Sequence, residues 1–356
     1  MKAIVVREFG PPSVMRLEEI ADPRPGPGEV VVQVHAVSVN RTLDTVVRAG
    51  KFKRRVTLPV VLGIDPSGII VEVGPGVTSR KVGDRVITLT RVQSEAAADG
   101  PQLLGVHAWG GYAEYFKAQA DGTIIVPEGV DLSTANVIGR HAPTAFHLLR
   151  DRAKLAPGEW VLVMGAAGGL GSAGVQAAKY LGARVIAAAG ADERVRAGLE
   201  LGADAGVNYR AQDLTVEAMR ITDGKGVNVV FENIGDPELF PKAFAAIARN
   251  GRLVTAGGHG GGIVPLDVNR LYLKQITVIG ATGQTTSADL ALSLQAAAQG
   301  RFKAVIACIL PLSQAPLAHE LVESRAILGK VVLDPTLHTN ECPDVPGRDR
   351  RGLANL

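Results

Sequence analysis

The stretch Trp160-Val161-Leu162-Val163-Met164-Gly165-Ala166-Ala167-Gly168-Gly169-Leu170-Gly171 decides the fold. Five apolar residues run straight into a glycine-rich turn. The turn opens a helical pattern in which Leu170, Ala173, Ala177, Ala178 and Leu181 recur close to a 3.6-residue period. Strand, glycine-rich turn and helix, in that order, form the context in which a G-x-G-x-x-G-type loop binds a dinucleotide. Gly168 lets the backbone approach a pyrophosphate, and Gly171 lets the helix pack closely on the strand. The helix N-terminus supplies open N–H groups and the positive end of a dipole. Ala166 stands where the fingerprint has its first glycine. A helix-capping turn would explain the loop in isolation; the flanking strand and helix select a nucleotide site over it. Ala166, Gly168, Gly169 and Leu170 are its expected contacts.

The same texture extends outward. Short apolar strands recur at 184–188, 228–231, 252–255 and 275–279, with helical patterns between them. Wholly apolar strands separated by helices imply a parallel sheet covered on both faces. Residues 1 to about 128 read differently. Apolar runs at 3–6, 29–34, 68–73, 84–88 and 123–126 alternate with Gly-Pro and Pro-Gly turns, which suggests a barrel-like β unit. Beyond 284 come one helical pattern (288–298), two apolar runs (305–310 and 331–333) and a Pro-, Gly- and charge-rich tail.

The end of the second strand bears on the cofactor. An NAD site usually carries an acid there for the ribose 2′-OH. Here Ala188-Ala189-Gly190-Ala191 has none, and Asp192 and Glu193 come later, where they suit the first turn of a helix. An uncharged strand end at Gly190 leaves room for a 2′-phosphate, with Arg194 and Tyr209 as its expected contacts and Arg210 behind them. The expected cofactor is therefore NADPH. Gly257-Gly258-His259-Gly260-Gly261-Gly262 follows the 252–255 strand. Gly257 and Gly258 are expected beside the cofactor, while 260–262 is open between that role and a free loop.

Composition removes other classes. Glycine supplies 42 of 356 residues with no G-X-Y period, and 46% of residues are hydrophobic, which excludes collagen and disorder. Net charge is +3 and no run of five or six like charges occurs, which argues against a nucleic-acid groove. The densest basic spots are Lys51-Lys53-Arg54-Arg55 and Arg348-Arg350-Arg351. The two cysteines, Cys308 and Cys342, make no disulfide framework or cysteine zinc cluster. There is no apolar stretch of membrane-spanning length and no cleavage signature. The expectation is a cytoplasmic protein in a reducing compartment.

Five segments together carry a resemblance. They are Leu62–Gly68, Val71–Val77, Gly111-Tyr112-Ala113-Glu114-Tyr115, Gly165–Gly171 and Gly329-Lys330-Val331-Val332-Leu333. With them, residues 1–335 resemble the zinc-free, quinone oxidoreductase-like branch of the medium-chain dehydrogenases/reductases. The resemblance implies a GroES-like partial β-barrel built from both chain ends (1–130 and 284–356). A Rossmann domain, a doubly wound parallel sheet (131–283), is inserted between them, and the cofactor lies in the interdomain cleft. It also implies cofactor contacts at Thr144, Asn233 and Lys330, and a homodimer joined through Rossmann edge strands such as 275–279.

Zinc-dependent members place a Cys, a His-Glu pair and a second Cys or Asp around the metal. The matching positions here are Asn40, Ile64-Asp65 and Arg140, a poor ligand set, and residues 91–108 lack the structural-zinc cysteines. No metal is expected. His35 reads as a barrel histidine and His147 as a core or surface residue. Without a metal, donors must stabilise negative charge developing on a carbonyl oxygen. Asn40, Arg41 and Thr42 occupy the loop where relatives keep such groups. Arg140 and His141 begin the helix that meets the cleft, and His141 has the pKa of a proton donor. Two structural alternatives remain: Asn40 as a loop brace, and Arg140 paired with Asp65.

The function expected is NADPH-dependent hydride transfer to a quinone or α,β-unsaturated carbonyl. The alternatives are an alcohol or aldehyde reductase, or an enoyl-thioester reductase. The last is disfavoured because Gly50-Lys51-Phe52-Lys53 lacks that group's tyrosine. A non-enzymatic NADPH-binding protein is the alternative of another class.

Overall fold

The computed structural model describes residues 1–92, 102–282, 286–325 and 327–337. Cys342 and Arg348, Arg350 and Arg351 of the tail lie outside the described residues, as do 93–101 of the 91–108 segment. The chain divides into two units: Met1–Ile125 with the described residues from Ile306 onward, and Val126–Val305.

The second unit is built on six strands, in chain order Trp160–Met164, Arg184–Ala189, Ala205–Asn208, Val227–Glu232, Ile247–Thr255 and Thr277–Gly280. Every pairing is parallel, and the spatial order is third, second, first, fourth, fifth, sixth. That is the Rossmann order, which reverses between the first and fourth strands. Side-chain alternation splits the core. Val161, Val163, Val185, Ala187, Val229 and Phe231 join one apolar cluster, while Leu162, Met164, Ile186, Ala188 and Val230 join another. Both faces are covered, so the strands must be apolar throughout. Burying each of the Val, Leu, Ile, Met and Phe side chains among them stabilises the unit by about 1.5–3 kcal/mol.

The first unit centres on the ten-residue strand Glu29–Ser38. It pairs antiparallel with Ser67–Val73, Tyr115–Gln119 and Lys330–Asp334. Val332 lies opposite Ser38 and Leu333 opposite Val37, so the chain returns to its N-terminal sheet. This is the GroES-like arrangement of sheet built from both ends of the chain.

Three features depart from the sequence reading. The strand Ala205–Asn208 has no counterpart in it. The sixth strand begins at Thr277 rather than 275, after Gln275 takes a positive φ of 56°. The units divide at 125/126 and 305/306 rather than 130/131 and 283/284, because Ala296 of the helix Ser287–Ala298 and Phe302 pack into the second unit's core.

Candidate functional site

At the strand-order reversal, the chain leaves the first strand through Gly165, whose φ of +66° suits glycine. Gly168 caps the helix Gly169–Tyr180, and no side chain caps that N-terminus. A Cβ on Gly171 would overlap the Gly165 carbonyl oxygen, so the helix reaches the turn only because residue 171 is glycine. A Cβ on Gly168 would meet nothing nearer than that same oxygen, at 3.3 Å. The loop thus offers exposed backbone at Gly168 and an open helix N-terminus, the chemistry a pyrophosphate needs.

The fourth strand meets this turn. Asn233 Nδ2 donates to the Met164 carbonyl at 2.9 Å, bridging the two strands where the order reverses. Glu232, just before it, is buried, and its carboxylate accepts from the N–H groups of Ile234 (2.8 Å) and Gly235 (3.0 Å) and from Thr255 Oγ1 (3.4 Å). Burial raises its pKa. Sequence reading missed Glu232, since an acid ending a strand gives no sign that its own loop folds back onto it. The glycine segment follows the same loop: Gly260 N donates to Ile234 O (2.7 Å) and Gly262 N to Gly235 O (2.9 Å). Residues 260 and 262 are therefore held by main-chain hydrogen bonds, and Gly257 and Gly258 lie in the same packed loop.

At the end of the second strand, a Cβ on Gly190 would meet Tyr209 Cε2 at 3.0 Å, Tyr209 Oη at 3.2 Å and Arg210 Nε at 3.3 Å. Burial raises the Tyr209 pKa, and the charges of Arg210 and Arg194 act the other way. The charge of Asp236 adds to the rise, and Arg210, placed last in the sequence reading, abuts Gly190 directly. Asp192 is engaged elsewhere, accepting from Asn208 Nδ2 at 2.7 Å.

Arg140, His141 and Thr144 lie on the helix Leu132–Phe146, which starts on Asp131 (its Oδ1 accepts from Thr134 N at 2.8 Å). Spacings of three and four put His141 and Arg140 on the same face as Thr144. His141 reaches the phosphate loop: a Cβ on Gly169 would lie 2.5 Å from its Nε2.

In the first unit, Asn40 and Asp65 are buried in one polar cluster. Asp65 accepts from Ser38 N (3.0 Å), Ser38 Oγ (2.6 Å) and Asn40 Nδ2 (3.1 Å). Lys330 Nζ donates to Asn40 Oδ1 at 2.7 Å and to Val39 O at 3.2 Å. Asp44, from the short helix Asp44–Arg48, accepts from Asn40 N (2.8 Å) and Gly63 N (3.3 Å). Burial first, then the charge of Asp65, raises its carboxyl to about 6. Both ends of the Asn40 amide are spent inside this unit. Thr42 is exposed and Arg41 half-exposed. Among the described residues, no three His, Cys, Asp or Glu side chains gather to hold a metal ion.

A parallel sheet in this order, with an open glycine loop at its reversal, defines a dinucleotide-binding protein of the Rossmann type. Residues 26–128 match the alcohol dehydrogenase GroES-like domain, and residues 169–299 match the zinc-binding dehydrogenase family. The quinone oxidoreductase of Sus scrofa is 32% identical, over 94% of this chain and 97% of the relative. An NAD-dependent alcohol dehydrogenase of Sulfolobus acidocaldarius is 32% identical, over 94% of this chain and all of the relative. The crystal structure of Escherichia coli quinone oxidoreductase complexed with NADPH superposes with a TM-score of 0.78 at 29% identity, over 94% of this chain and 100% of that one. The chain belongs to the medium-chain dehydrogenase/reductase superfamily and is an NAD(P)H-dependent oxidoreductase.

Proposed function

We propose that the chain reduces a quinone or an α,β-unsaturated carbonyl with NADPH and without zinc. The observation that carries the cofactor choice is the end of the second strand, where Tyr209 and Arg210 abut Gly190, Arg194 lies near enough to act on the Tyr209 hydroxyl, and the strand end Ala188–Ala191 itself carries no acid. A 2′-phosphate suits two guanidiniums, which pair with phosphate oxygens in a planar fork. The phosphate loop, Asn233, Thr144 and the Gly257–Gly258 backbone complete the cofactor set, with Lys330 assigned to it from the resemblance.

Bound NADPH would supply the hydride. The protein's share is to hold the substrate and stabilise charge on its oxygen. Asn40 and Asp65 are satisfied internally, so they act as braces for the loop that carries Arg41 and Thr42. Those two accessible side chains are the proposed donors to the carbonyl oxygen, a role that the resemblance alone extends to Arg140. Zinc independence is supported by residue chemistry: Asn40 and Ile64 stand at ligand positions of the zinc-dependent members, and an amide and an alkyl chain are not zinc ligands. The similarity to an alcohol dehydrogenase keeps a second reading, an alcohol or aldehyde reductase.

The test is cofactor titration by fluorescence followed by turnover. NADPH is expected to bind at least about tenfold tighter than NADH, with that preference lost on Arg210→Ala and reduced on Arg194→Ala. Tighter NADH binding, or a preference untouched by either substitution, rejects the NADPH reading. Turnover with quinones and enones is expected to survive EDTA dialysis, and its loss rejects zinc independence. Turnover confined to alcohols and aldehydes selects the second reading, and binding without any turnover selects a non-enzymatic role.

We also propose a homodimer. Ile263, Leu266, Val268, Tyr272 and Leu273 are exposed in the segment leading to the sixth strand and Val278 is exposed on it, and that strand pairs with one neighbour only among the described residues.

A further inference from the structure

We infer that His141 is a ligand of the dinucleotide's pyrophosphate, which rests on the dinucleotide reading of the glycine loop. Two glycines stand together at the start of the helix Gly169–Tyr180, and they are glycines for different reasons. At Gly168 the space a side chain would fill is open apart from the Gly165 carbonyl oxygen. At Gly169 that space is taken: a Cβ would lie 2.5 Å from His141 Nε2, 2.7 Å from Cδ2 and 3.4 Å from Cε1.

The imidazole of His141 therefore packs against the first residue of the helix, beside its first N–H groups, which no side chain caps. An anion held by those groups sits beside the imidazole. An imidazole N–H donates to a phosphate oxygen in its neutral form, and more strongly as the imidazolium. His141 is half-buried, on a helix face shared with Arg140 and Thr144, so its ring is positioned by the helix Leu132–Phe146 rather than by the loop it serves. This moves His141 from the proton-donor role that its sequence position suggested to the cofactor.

The test uses the full chain and two ligands, titrated by calorimetry at neutral pH. One is 2′-phospho-ADP-ribose, which carries the pyrophosphate. The other is adenosine 2′-monophosphate, which does not. His141→Ala is expected to weaken 2′-phospho-ADP-ribose at least about tenfold and to leave adenosine 2′-monophosphate within twofold. The retained affinity shows that the variant is folded. His141→Gln, which keeps a donor, is expected to recover part of the loss. Gly169→Ala is expected to weaken the pyrophosphate ligand as His141→Ala does, and the double variant to bind no worse than either single one.

Unchanged affinity of His141→Ala for 2′-phospho-ADP-ribose overturns the inference. Equal losses for both ligands overturn it too, as does full binding with lost turnover, which returns His141 to proton donation. If the unaltered protein binds neither ligand, the 2′-phosphate reading fails and ADP-ribose is titrated in place of 2′-phospho-ADP-ribose; if it binds none of the three, the dinucleotide reading of the loop itself fails. That outcome is distinct from failure of His141 alone.

Discussion

His319 shows how far one buried side chain can set the response to pH. It is fully buried, and its Nε2 shares a 3.1 Å hydrogen bond with the hydroxyl of Tyr112, also fully buried. Burial pushes its pKa down to about 3, and the nearby Arg48 charge adds to the shift. The unfolded imidazole takes a proton near pH 6.5, so below that pH the unfolded chain binds more protons than the folded one. His319 thus contributes stability above pH 6.5 that is lost as pH falls toward 3. The loss is about 2 kcal/mol between pH 6.5 and 5, at about 1.4 kcal/mol per pH unit. Asp44 acts in the opposite direction. Its carboxyl is raised to about 6, so the folded chain gains relative stability as Asp44 takes up its proton below that pH. Urea denaturation at pH 7 and pH 5 checks both. The unaltered chain is expected to lose stability on acidification. His319→Gln, which keeps a partner for Tyr112 and does not titrate, is expected to lose at least about 1 kcal/mol less. Equal pH dependence in the two proteins would show that His319 protonates freely in the folded state.

The unit strand–loop–helix was legible in the amino-acid sequence because every one of its signals is local. The apolar run Trp160–Met164, the glycines and the small residues of the following helix each act on near neighbours. The strand Ala205–Asn208 was not legible: four residues at the sheet edge, including Ala205 and Gly206, make no apolar run. Ser287–Ala298 was visible as a helix, but the unit it packs on depends on contacts that periodicity does not encode. At the candidate site, the missing acid drew attention to Gly190 and Tyr209, and the structure sets the two against each other. The contact of Arg210, the fold-back onto Glu232 and the internal bonding of Asn40 needed the backbone path. Gly168 and Gly171 separate two demands on the loop. Gly171→Ala would place a methyl group on the Gly165 carbonyl oxygen and is expected to cost about 1–3 kcal/mol, with cofactor binding lost as the loop shifts. Gly168 has a φ of −79° that alanine adopts readily. Gly168→Ala is expected to cost less than about 1 kcal/mol while still weakening NADPH, because its methyl group enters the space proposed for the phosphates. Thermal denaturation with parallel NADPH titration separates the two. Equal stability losses would mean that close helix packing at 171 does not govern the loop.

At the scale of the whole molecule, one stretch of the surface is out of keeping with a solitary chain. Between residues 263 and 278, Ile263 is 87% exposed, Tyr272 62% and Leu273 61%, with Leu266, Val268 and Val278 also exposed. The strand Thr277–Gly280, which carries Val278 and follows the others in the chain, has its hydrogen-bonding edge open, among the described residues, on the side away from Ile247–Thr255. An open edge flanked by apolar side chains invites another strand, and soluble monomers usually blunt such edges with charge or proline. Val278 and Thr277 carry neither. Two copies meeting at this edge by a two-fold axis would extend the six-stranded sheet across both chains and bury the same residues twice, because such an interface is self-complementary. Light scattering on the purified chain is expected to give twice the monomer mass. Val278→Lys combined with Tyr272→Lys is expected to give the monomer mass, since like charges at a buried sheet edge lose their hydration without gaining a partner. NADPH binding should persist in that variant, because the phosphate loop and the Gly190 end of the second strand belong to a single chain. A dimer unaffected by both substitutions would locate the interface elsewhere. A monomer at all concentrations would leave the apolar stretch to a different partner.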